Sequence, residues 1–236
     1  MTDNSALEIQ LRTDLDLKLS PIAISFRAAP PAGVEKFTGS EPSGCSFWRL
    51  AAQGRAFYTV PSDHYNCPVG SYTHKIALPA DRSQELTNIL GTMTSLGYLK
   101  MEEVPGIPTL QSTPNVIIYA PLSKTPADPD VVLLSAAPAK LMLLEEAAIR
   151  AGAGSKLPLL ARPTCVAIPA AMAQGVVTSA GCIGNRVYTD LSDGELYSAI
   201  PGSALQPIAE ALRTVVSANT ALAQYHQERR SQLSTA

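Results

Sequence analysis

Ile22-Ala-Ile-Ser-Phe26, closed by Ala28-Ala29-Pro30, and Val131-Val-Leu-Leu-Ser135, closed by Ala136-Ala137-Pro138, are two versions of one pattern. Each is a near-continuous apolar run, as expected of a strand with helices over both faces. Each ends on small residues and a proline that cannot continue a hydrogen-bond ladder. Two cysteines follow each run: Cys45 and Cys67 after the first, Cys165 and Cys182 after the second. Then come a small-residue loop, a hydrophobic-proline step (Leu78-Pro79; Ile200-Pro201) and a long helical pattern. This order predicts an α/β protein of two pseudo-symmetric halves, each a small sheet with covering helices, forming one compact domain over residues 1–236. The first half-repeat runs over 20–100 and the second over 115–225.

Between these marks the elements follow from periodicity. Leu86, Ile89, Leu90 and Met93 recur on one helical face behind Asp81, a natural N-cap, so a helix is predicted to about Leu96. Residues 139–151 form a second helix, closed by Gly152 and Gly154. Strands are predicted at 115–120, 130–134, 164–168 and 175–178, and a final helix from Ser203 or Ala204 to about Arg230.

Composition bounds the function. Apolar residues make up 46% of the chain, enough for a large core, while charged residues make up only 16%. Globular proteins average roughly 25% charged, so much of this surface is buried, and a homo-oligomer interface fits. The net charge is −2 with no clustered Lys and Arg, which argues against a nucleic-acid partner. No window reaches 18 apolar residues, so no membrane span is predicted. The start of the chain lacks a basic segment followed by an apolar one, so the expected location is the cytosol. Thiols stay reduced there, and the four cysteines read as buried thiols, metal ligands or nucleophiles rather than disulfides.

Gly44-Cys45, Cys67-Pro68 and Gly181-Cys182 put three cysteines in bent backbone, whereas Cys165 sits in a β-type run and could simply fill core. There is no Cys-x-x-Cys pair, so a metal site must be assembled from distant loops. Cys45, Cys67, Cys165 and Cys182 are the candidate metal ligands, with Cys45, Cys67 and Cys182 as the cofactor-binding core. Thiolates suit an iron–sulfur cluster first and zinc second. A metal-free alternative places Cys67 and Cys182 on opposite sides of a small carboxylate, as acid and base of a racemase- or decarboxylase-like enzyme. His64 is a candidate general base, Asp63 its orienting partner, and Arg186 a planar fork for a carboxylate; these three are the candidate catalytic residues. A non-catalytic ligand-binding or sensor protein is the third class.

Gly44-Cys45-Ser-Phe-Trp48-Arg-Leu-Ala51, Asn66-Cys67-Pro-Val-Gly70-Ser-Tyr72 and Gly181-Cys182-Ile-Gly184-Asn-Arg186 resemble the marks of the uncharacterised ArCR-type family, a group of unknown function in archaea and bacteria. Glu195-Leu196 and Ile200-Pro201-Gly202 add to the match, which runs from about Leu15 to Asn219. The resemblance implies that the cysteine loops matter, and it implies no reaction. The leading expectation is a cytosolic cysteine-ligated metalloprotein, an enzyme whose class (lyase, isomerase or oxidoreductase) the residues do not distinguish, acting on a small molecule in a cleft between the halves.

Overall fold

A computed structural model of the chain describes residues 3–234. Helix α1 (Asn4–Leu15) begins at Asp3, whose carboxylate accepts the N–H groups of Ser5 and Ala6 at 3.1 and 3.0 Å. There follow β1 (Ile22–Arg27), α2 (Gly44–Ala52), β2 (Phe57–Thr59), α3 (Pro68–Thr73), α4 (Ala80–Ser95) and β3 (Val116–Pro121). The second half runs β4 (Val131–Ala136), α5 (Pro138–Arg150), α6 (Ala167–Gln174), β5 (Val177–Ser179), α7 (Ile183–Thr189) and β6 (Leu196–Pro201), and ends in α8 (Leu205–Ser234).

The six strands form one sheet in the order β2-β3-β1-β4-β6-β5, every neighbouring pair antiparallel. The two triplets therefore join instead of standing as separate small sheets, because β1 and β4 pair directly, with Ile22 opposite Leu133 and Ile24 opposite Val131. Read outward from this seam, each side presents its first, third and second strand. The registers correspond as well. Ile22 faces Pro121 as Val131 faces Pro201, and Phe57 faces Tyr119 as Val177 faces Ala199. Just past the third strand of each triplet, the N–H of Leu122 donates to Pro21 O and that of Gly202 to Asp130 O, both at 2.8 Å.

The helices do not correspond as the sequence order predicts. α4 precedes β3, whereas α8 follows β6. Leu78-Pro79 leads into a helix while Ile200-Pro201 ends a strand; the strand end that matches it is Ala120-Pro121. An apolar residue before proline marks either kind of boundary, because proline tolerates helix starts and strand ends alike.

Alternation along the strands builds two cores. Ile22, Ile24, Val131 and Leu133 pack with Phe47 and Trp48 of α2 and with Ile168 of α6. Ala23, Val132, Leu134 and Ile200 pack with Leu11 of α1, Leu144 of α5 and Ile208 of α8. Both faces are covered, which is why the strands read as unbroken apolar runs. The buried residues of α8 end at Val215, and residues 217–234 are exposed. The stretch 164–168 is not a strand: Thr164–Val166 is a 3-10 turn that runs into α6. A helix buried on all sides has no polar stripe, so a short one has the same signature as a core strand. Among the described residues no helix is long and apolar enough to cross a membrane.

Candidate functional site

The four cysteines come from four separate helix starts. Cys67 is the cap residue of α3 and Cys182 that of α7. Cys45 sits in the first turn of α2, where Ser43 Oγ accepts its backbone N–H at 3.2 Å. Cys165 sits in the turn that opens α6. The halves interlock across the sheet: α2 packs on α7, and the Thr164–Val166 turn packs on α3. Cys67 thus lies beside the start of α2 that carries Cys45, and Cys182 beside the turn that carries Cys165. All four are free thiols lining a single cavity of about 470 Å³.

Local contacts hold each sulfur. Cys67 Sγ lies 3.7 Å from Ser43 Oγ. It also folds back over Gly70, where a Cβ would stand 2.7 Å from it. The N–H of Cys182 donates to Thr164 Oγ1 at 2.5 Å, tying α7 to the turn that carries Cys165. Burial pushes the Cys45 thiol up to about 12, the nearby Cys67 adding to the shift. Burial likewise raises Cys165 well above the ordinary thiol range, with Cys45 and Cys67 contributing. Both stay protonated at neutral pH unless a cation draws the proton off.

A roof lies over the cavity. Leu86, Ile89, Leu90 and Met93, the apolar stripe of α4, line it together with Val69 and Val166. At its margin Arg162 reaches from the second half to the roof segment, its guanidinium 5.1 Å from the Tyr98 ring and 3.4 Å from Glu103 Oε2. Among the described residues no group of three or more His, Cys, Asp and Glu side chains could hold a metal ion as arranged.

Asp63, His64 and Arg186 lie outside the lining of this cavity. Asp63 Oδ2 accepts the Val60 N–H at 2.8 Å and caps a 3-10 turn. His64 is buried edge-on to Phe47, with Nε2 2.8 Å from Thr59 Oγ1, and burial lowers its pKa to about 3 with help from His74. Arg186 donates to the backbone carbonyls of Ala180, Ser192 and Glu195, stitching the loop after α7. Sequence reasoning missed Asn185, Arg162 and Tyr98. Arg162 and Tyr98 carry no local signal, since they meet only when the two halves fold together. Asn185 had one, standing three residues after Cys182 in a small-residue loop.

A six-stranded antiparallel sheet with helices on both faces defines a mixed α/β protein, with a thiol-lined cavity under a helical roof. The family model described as Uncharacterised ArCR matches residues 10–211, and the chain belongs to that family. Comparison with curated proteins and with solved structures finds no match.

Proposed function

We propose that this chain is a cytosolic, cysteine-ligated metalloprotein whose cavity takes an iron–sulfur cluster on Cys45, Cys67, Cys165 and Cys182 and a small molecule beside it, as an enzyme. The observation that carries the reading is that all four cysteines, brought from four helix starts in both halves, line one cavity. Thiolates on one zinc ion sit within roughly 4 Å of each other, and among the described residues no set of three or more His, Cys, Asp and Glu side chains is arranged to hold one ion. A cluster spreads its ligands over several irons and asks for wider spacing, so it is preferred to zinc. The apolar roof supports the reading, because it would give a bound cluster an apolar wall.

Loading is expected to release protons from Cys45 and Cys165, because the metal binds thiolate. Protein purified without oxygen should carry iron and acid-labile sulfide near stoichiometry and absorb broadly in the visible. Cys→Ser at any of the four positions should lower that content. Folded, fully active protein free of iron and zinc would overturn the proposal.

One observation favours a second reading, a metal-free thiol acid–base enzyme. Cys67 and Cys182 are the half-buried pair and cap helices from opposite halves. Turnover without iron, abolished by serine at either position, would select it. We also propose that the halves descend from an internal duplication, supported by the common strand order and registers.

A further inference from the structure

The cavity contains one polar side chain whose hydrogen-bonding capacity is unspent. Asn185 is 2% exposed, lines the cavity, and has no hydrogen-bond partner at either Nδ2 or Oδ1. A buried carboxamide left unpaired costs about 1–3 kcal/mol, and native proteins hold few such groups. Its neighbours do not relieve it. The Tyr197 hydroxyl donates to Thr189 Oγ1 at 3.2 Å, and Thr189 Oγ1 donates to the backbone carbonyl of Asn185 at 2.8 Å. The Cys45 thiol and the Tyr197 hydroxyl both lie close enough for the amide to favour their ionised forms, yet both stay outside hydrogen-bond geometry. Gly181, whose φ is +78°, leaves room beside the amide: a Cβ there would stand 2.9 Å from Leu191 Cδ2 and 3.1 Å from Asn185 Oδ1.

The remaining lining defines what meets that amide. Glu103 and Arg162 are the charged residues of the lining, and they pair with each other. The walls are apolar, and about 470 Å³ is the scale of a small-molecule site. We propose that the cavity binds an uncharged, largely apolar small molecule carrying one donor and one acceptor side by side, as in a lactam, and that Asn185 reads this edge with its own donor and acceptor. A carboxamide makes such a paired contact by its fixed geometry. The inference rests on the reading of this cavity as the functional site, but not on the cluster.

The test uses 2-quinolinone, which has the lactam edge, and naphthalene, which has its shape without one. Binding to the full chain is followed by calorimetry, with iron and sulfide measured on the same preparations, so that failure of the cluster and failure of this inference are separate results. 2-Quinolinone should bind at least about tenfold more tightly than naphthalene, the effect of leaving one buried polar group unpaired. Asn185→Leu should abolish that preference while leaving the ligand-free protein as stable as before or more so, because an apolar group replaces an unpaired amide. Asn185→Asp, which keeps the shape but loses the donor, should weaken 2-quinolinone binding and keeps the test valid if the leucine variant misfolds. The inference is overturned if the unaltered protein shows no preference, whether it binds both probes or neither, or if the preference survives in the variants.

Discussion

Gly70 sets where the Cys67 sulfur can be. A Cβ there would meet Sγ at 2.7 Å, and the atom that must yield is the tip of a flexible side chain. Gly70→Ala should therefore change the unfolding midpoint little, by about 1 kcal/mol or less, while moving the thiol. Iodoacetamide labelling of Cys67 should change several-fold, and iron retention should fall. Equal labelling rates in the two proteins would show that the sulfur does not depend on this glycine. Gly202 is the opposite case, since a Cβ would fall 1.7 Å from the Pro129 carbonyl oxygen, which is backbone and cannot rotate away. Gly202→Ala should lower stability by about 3 kcal/mol or more in urea titration, through overpacking. Residue types alone made Asp63 and His64 look like a catalytic pair. Their partners, Val60 N–H and Thr59 Oγ1, are local and structural, and whether a polar loop faces a cleft or the core depends on packing that no short motif records.

At the scale of elements, α4 is the part whose pattern was read correctly and whose partner was not. The stripe from Leu86 to Met93 was legible as a helix face. That it covers a cavity, with no α4 residue fully buried, depends on the approach of the second half. The tie at its edge is modest: Arg162 and Glu103 are both partly exposed, so their pairing stabilises by no more than about 1 kcal/mol, and the stacking on Tyr98 adds about 0.5–1 kcal/mol. Arg162→Ala should accordingly speed amide exchange across α4, and thiol labelling of Cys67 and Cys182, by roughly three- to tenfold. Unchanged exchange in α4 would mean that the roof is held by its apolar face alone. The stretch 164–168 was misread because every one of its residues is buried, which removes the polar stripe that marks a helix.

The whole molecule carries its acid sensitivity in two histidines. His64 is held down to about 3 and His74 to about 4, in both mainly by burial. A histidine depressed in the folded state favours folding above its unfolded pKa of about 6.5, and that contribution is lost as pH falls toward the folded value. Stability should thus decline below about pH 6.5, by up to about 1.4 kcal/mol per pH unit for each histidine. Urea midpoints measured between pH 7 and 5 should show the slope, and His64→Gln or His74→Gln should each remove part of it. A flat profile in the unaltered protein would contradict the burial of both rings. At this scale the two apolar runs at Ile22 and Val131 were enough to predict α/β layering. Their direct pairing into one sheet was not legible, because register across the seam leaves no mark within either run.

Helix α8 packs on the folded body only as far as Val216, and the family match ends at residue 211. Beyond that point the chain obeys helix–coil physics instead of the cooperativity of the folded body. A solvent-exposed helix of this length is marginal in water, since nucleation is costly and each added bond contributes little. Heating should therefore produce two regimes in far-ultraviolet circular dichroism: a gradual, sloping loss from the distal segment, then a sharp transition of the body. Deleting residues 220–236 should erase the slope and leave the sharp transition where it was. The same asymmetry makes the distal segment the first place a protease would cut, with the cavity and its four thiols untouched.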